Sequence, residues 1–178
     1  PDVIVTQELC DVCAIDAKDV VASLRALSVR PTIVSLHPHT LQHALQDILL
    51  VGASTGRTPQ ATRLVEQLQA RIERVRQQVA SAPTRPRGCC LEWLDPVMAS
   101  GHWVPAMVEL AGGTAVLGRP GEPSGYVKWE DVLAAKPEVL VLMPCGFPIA
   151  RTRRELALVT SRPGWEELPA IQRGQVYL

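Results

Sequence analysis

Aromatic residues are scarce in this chain of 178 residues: they make up 4% of it, and none falls in the first 90 positions. A core normally draws on aromatics along its whole length. The second half, with Trp93, Trp103, Tyr126, Trp129, Phe147, Trp165 and Tyr177, therefore carries either most of the core or an aromatic-lined site. An excess of one charge is also missing, since 18 Lys and Arg balance 18 Asp and Glu. That balance gives no electrostatic reason to expect nucleic acid or an anionic membrane as partner. Long hydrophobic runs are absent, and the longest, Val139–Met143, is far too short to span a bilayer. Five cysteines cannot all pair with one another, so a complete disulfide framework is excluded. P-loop and GxGxxG motifs are lacking. The chain opens at Pro1 with no export-signal pattern, so its compartment is not read from this end.

What is present is an α/β pattern. Hydrophobic residues are 47% and charged residues 20%, which excludes disorder and collagen-like repeats. Asp2–Thr6 and Thr32–Leu36 are short β-branched runs and read as buried strands. Asp16 to Leu27 reads as a helix capped by Asp16, and Thr40 to Leu50 as another, stopped by Gly52. Strand–helix–strand–helix order implies a parallel sheet with right-handed crossovers. Thr58-Pro59 then opens the clearest element, with Leu64, Leu68, Ile72, Val75 and Val79 at helical spacing. This helix is expected to run unbroken to about Ser81 and to pack through those five residues. A Pro-rich link, Ala82–Arg87, follows.

The second half repeats the alternation. Cys89–Trp93, Thr114–Leu117, Glu138–Met143 and Gln175–Leu178 read as strands. Val104–Ala111, Trp129–Ala135 and Arg151–Thr160 read as helices. The organisation is thus a partial first lobe (1–57), a bridging helix (58–82) and a second α/β lobe (83–178). In parallel sheets ligands sit beyond the carboxyl ends of the strands. Those loops hold Cys10 and Cys13, then His37 and His39, then Asp95, His102 and Trp103, then Cys145 and Phe147. Cys10-x-x-Cys13 with His37-x-His39 supplies four ligands of the kind a tetrahedral zinc site uses, although buried structural cysteines are the commoner outcome. Cys89 and Cys90 are adjacent in a strand, so they point to opposite faces of the core. Glu92, Asp95 and His102 could form an acid–base set, but a binding protein explains aromatic loops without one.

The stretches CCLEWLDPVMASGHWVPAMVELAGG (Cys89–Gly113), Trp129–Met143 and PCGF resemble the vitamin B12-binding and ferric-siderophore-binding proteins of ABC importers. The opening PDVIVTQELCDVCAI and the GASTGRTPQATRLVEQLQARI stretch are similar to the same family's first lobe and its entry into the bridging helix. The resemblance implies two Rossmann-like lobes with parallel sheets joined by one long helix, the first lobe incomplete here. It implies a binding role without catalysis, at a periplasmic or other extracytoplasmic membrane face, the alternative being cytoplasmic. Cobalamin is the expected transported ligand, with no cofactor required. Ferric-siderophore or haem binding by the same fold, or intracellular metal handling through the Cys/His set, are the alternatives. Trp93, Trp103, Tyr126, Trp129, Phe147 and His102 match second-lobe positions that face the ligand, although Trp129 reads equally well as a packing residue. Glu130 matches an acidic residue that docks on the ABC transporter permease, and Glu130 and Asp131 also suit a helix N-terminus. The resemblance further implies elements ahead of Pro1 that complete the first sheet. With an apolar edge uncovered, the 178-residue form is expected to self-associate through that lobe.

Overall fold

The computed structural model describes residues 1–8 and 30–178. The expected helix Asp16–Leu27, and Cys10 and Cys13, lie outside the described residues. The chain divides into two compact units, 1–73 and 74–178. In the first, β1 (Val3–Gln7) and β2 (Thr32–Leu36) pair in parallel, with Val5 opposite Val34. Val34 is buried, while Val5 and Ile33 are exposed. Helix α1 (Leu41–Ser54) starts where Thr40 Oγ1 accepts from the His43 amide at 3.1 Å, satisfying an amide at the helix N-terminus.

Gly52 does not stop α1, which continues through it to Ser54. A Cβ at Gly52 would collide with the Ala61 methyl, so the glycine permits close approach of the next helix. That helix, α2 (Thr58–Val79), runs for 22 residues without a break and contributes residues to both units. Its buried stripe differs from the expected one. Ala61 and Val65 are buried and Leu68, Ile72 and Val79 half-buried, but Leu64 and Val75 are 45% and 40% exposed. The stripe is rotated because Ala61 provides the contact surface against Gly52, which turns Leu64 away.

The second unit is built on one sheet. β3 (Arg87–Leu94) is its axis, with β7 (Val139–Leu142) parallel along one edge. The other edge carries β4 (Val97–Ala99), antiparallel at the top, and β5 (Thr114–Ala115), parallel at the bottom. β8 (Val176–Tyr177) extends the sheet beyond β7 and β6 (Gly125–Tyr126) beyond β4. The two antiparallel strands were not expected. β4 follows a tight turn at Asp95-Pro96 and pairs back on β3. The expected helix Arg151–Thr160 is two, α5 (Ile149–Glu155) and α6 (Ala157–Thr160), divided at Leu156. Helices α3 (Val104–Leu110) and α4 (Trp129–Ala135) agree with the sequence to within one residue.

Adjacent strand residues point to opposite faces. Cys89 and Cys90 are both buried, so both faces of β3 are covered. Leu91, Leu140, Leu142, Val132, Val159 and Leu168 make up the fully buried centre of this core.

Candidate functional site

Two parallel strands, β3 and β7, end side by side, and their carboxyl ends build the first part of the site. Amide bonds from Met143 to Leu91 (2.8 Å) and from Cys145 to Glu92 (3.1 Å) clamp the loop after β7 against β3. The clamp brings Trp93 and Phe147 together edge to face, ring centroids 5.0 Å apart. The Arg151 guanidinium, from the first turn of α5, lies 3.5 Å from the Phe147 centroid, a cation–π geometry. Arg151 Nε also bonds Glu155 at 2.9 Å, which fixes it across one helical turn. The result is an apolar aromatic surface with a positive charge beside it. Such a surface suits a flat, polarisable ligand.

The second part is polar. Glu92 Oε2 accepts from Ser124 Oγ at 2.5 Å. Ser124 Oγ in turn accepts from the Gly101 amide at 3.0 Å and lies 3.4 Å from His102 Nδ1. Burial pushes the Glu92 carboxyl above its ordinary pKa, and the Ser124 hydrogen bond opposes that only in part. The loop bearing Ser124 is pinned to the His102 turn by two further bonds, His102 N to Glu122 O (2.6 Å) and Gly121 N to His102 O (2.8 Å). His102 itself takes φ +52°, a left-handed conformation that costs a non-glycine residue energy and needs such support. A cavity of about 540 Å³ lies along this loop, lined by Ser100, Leu117, Arg119 and Glu122 among others.

The expected residues distribute unevenly. Trp93 and Phe147 meet. His102 and Trp103 are neighbours at 6.1 Å, but they follow the antiparallel strand β4, so they do not lie directly beyond β3 as expected. Tyr126, on β6, is 68% exposed. Trp129 is not on the ligand-facing surface. It is buried at 7% exposure, stacks on Trp165 at 6.2 Å and donates from Nε1 to Pro163 O at 2.7 Å. An apolar ring followed by charged Glu130 and Asp131 turns inward as the first residue of an amphipathic helix, so Trp129 packs the core. Asp95 leaves the acid–base set as well, pairing with Arg162 at 2.7 Å. Asp131 caps α4 by accepting from the Lys128 amide at 3.1 Å, which leaves Glu130 projecting as an exposed residue.

His37 and His39 stand in the first unit with ring centroids 4.3 Å apart. Among the described residues no group of three His, Cys, Asp or Glu could hold a metal ion. Nearby Asp47 lines an apolar cavity of about 370 Å³, and burial raises its pKa against the opposing influence of His43 and His37. Ser124, Arg151 and Asp47 were not expected from sequence. A serine in a Pro-Ser-Gly loop and an arginine or aspartate in an amphipathic helix carry no local signal.

An α/β unit with parallel strand ends presenting aromatic side chains is the architecture of a ligand-binding domain. The family model for periplasmic binding proteins matches residues 2–178, and the chain belongs to that family. Among solved structures it is similar to an ABC transporter substrate-binding protein from Listeria monocytogenes EGD-e, at 18% identity and TM-score 0.77, covering 99% of this chain and 66% of that one. The apo periplasmic heme-binding protein RhuT from Roseiflexus sp. RS-1 is similar at 22% identity and TM-score 0.76, covering 99% and 66%. The periplasmic vitamin B12 binding protein BtuF of Vibrio cholerae is similar at 22% identity and TM-score 0.64, covering 99% and 64%. At these identities the likeness is one of fold. The chain spans about two thirds of the length of these structures. No curated protein matches it. Among the described residues no helix is long and apolar enough to cross a membrane.

Proposed function

We propose that the protein is the solute-binding component of an ABC importer, working outside the cytoplasm, and that its cargo is a corrinoid, cobalamin. Its role is binding alone, and the ligand is handed unchanged to a membrane permease, with no resident cofactor. The observation that carries this reading is the Trp93–Phe147 pair with Arg151 over Phe147, at the carboxyl ends of parallel strands. A corrin ring is broad, flat and largely apolar, and its edges bear amides. Aromatic faces bury the ring, and the neighbouring polar groups meet its edges. Membership of the periplasmic binding protein family supports the transport role. Glu130, exposed in the first turn of α4, is the proposed docking residue for the permease.

Isothermal titration of the full-length protein with cyanocobalamin, haemin and a ferric siderophore tests the ligand. Cyanocobalamin should bind, and Trp93→Ala or Trp103→Ala should weaken it by about tenfold or more, as loss of an aromatic anchor does. No binding of cyanocobalamin, or tighter binding of haemin or the siderophore, would overturn the choice of cargo.

A further inference from the structure

Between Leu91 and Trp93 the pairing of β3 with β4 shifts register, so that Glu92 is an extra residue with no counterpart on β4. A bulge of this kind re-aims the side chain it carries. It sets a half-buried carboxylate immediately before the tryptophan that meets Phe147. Ser124 donates to Oε2, and no cation pairs with this carboxylate among the described residues. The guanidinium groups of the site are engaged elsewhere, Arg151 with Glu155 and Phe147, Arg162 with Asp95, and Arg119 with Glu122. The other titratable groups around Glu92 are Cys90 on its own strand and His102 across Ser124.

Ser124 is itself held by the Gly101 amide, so the hydroxyl that satisfies Oε2 is fixed in place. A ligand edge approaching this carboxylate therefore meets a hydrogen-bond acceptor bearing negative charge. We infer that Glu92 is a specificity-determining residue, which admits ligands whose periphery offers neutral hydrogen-bond donors such as primary amides and disfavours those edged with carboxylates. The inference rests on the corrinoid reading above and narrows it to amide-edged macrocycles. Unpaired like charges brought together at a desolvated contact are strongly unfavourable.

The test compares two probes on the full-length protein: cyanocobalamin, and the same corrinoid with its peripheral amides hydrolysed to carboxylates. By titration at low ionic strength the wild type should prefer the amide form by about tenfold or more. Glu92→Gln should reduce that preference to about threefold or less, because an amide in place of the carboxylate removes the repulsion. Ser124→Ala should keep the preference, since the carboxylate remains. Circular dichroism and thermal melting establish that each variant is folded. Should Glu92→Gln fail to fold, the wild type decides alone: raising salt must weaken its discrimination by screening the repulsion. Equal binding of the two forms by the wild type, discrimination insensitive to salt, or full preference in Glu92→Gln would overturn the inference while leaving the corrinoid reading intact. Failure of the wild type to bind either form would overturn that reading and the inference with it.

Discussion

Gly101→Ala is a small change with a large expected consequence. Gly101 is buried at the turn between β4 and α3, and its φ is not in the left-handed region, so alanine suits its backbone. Space is the obstacle. An added Cβ would fall on Ser124 N, the Pro123 carbonyl carbon and Glu122 O, all backbone atoms that cannot rotate aside. The loop must move, and overpacking of this kind costs about 1–3 kcal/mol. Movement also strains the bond from the Gly101 amide to Ser124 Oγ, about 1 kcal/mol, and the charge-assisted bond from Ser124 to Glu92, about 1.5–3 kcal/mol. These contributions share atoms and do not simply add, so a total of about 3–5 kcal/mol is expected. For a chain of this size each kcal/mol lowers the melting temperature by about 2–4 °C, giving a drop of about 6–20 °C. Gly125→Ala is the control, because nothing lies within 4 Å of a Cβ there. It should change stability by less than about 0.5 kcal/mol. Differential scanning calorimetry of the two variants decides the matter. If Gly101→Ala melted with the wild type, the interlocking of the two loops would be refuted.

Three further outcomes follow from the same structure. Trp129→Ala should cost about 3–5 kcal/mol by chemical denaturation, through the lost Trp165 stack and Pro163 bond, yet leave the affinity of the folded protein unchanged. Weakened ligand binding at unaltered stability would return Trp129 to the ligand surface. Glu92 is raised above its ordinary pKa of 4.5, so the folded protein keeps this proton to higher pH than the unfolded chain. The stabilisation this provides is complete below 4.5 and is lost as pH rises through the folded-state pKa. Measured against Glu92→Gln, wild-type stability should therefore fall as pH rises above about 4.5, and a rise would contradict the assigned cause. The difference also cancels Glu138, whose pKa is lowered by its bonds to the Arg87 amide and to Arg173 and whose effect has the opposite sign. Glu130→Ala should leave ligand affinity and melting temperature unchanged while reducing uptake through the reconstituted permease. Undiminished uptake would remove Glu130 from the docking surface.

Local pattern determined the elements whose residues carry their own signal. Apolar β-branched runs specified Thr32–Leu36 and the centre of β7, and one long helix from Thr58-Pro59 followed from apolar spacing, expected to about Ser81 and ending at Val79, because burial of a periodic face dictates the period. The buried Cys89-Cys90 pair was legible for the same reason. Which side of α2 is buried was not legible, since the close contact of Gly52 with Ala61 depends on a residue nine positions away. Nor was β4, which exists because the chain reverses at Asp95-Pro96 and finds β3 already in place. The site divides along the same line. Phe147 could be nominated from sequence as an aromatic in a loop after a strand, and Trp93 from the family resemblance, but their meeting across 54 positions is made by the parallel pairing of β3 with β7. Trp129 looked equally suited to ligand or core, and only the position of Trp165 decided it. Ser124 had no signal at all. Its role comes from a register shift in β3 and a turn at Gly101, and such long-range geometry is settled by tertiary packing, not by the composition of any one segment.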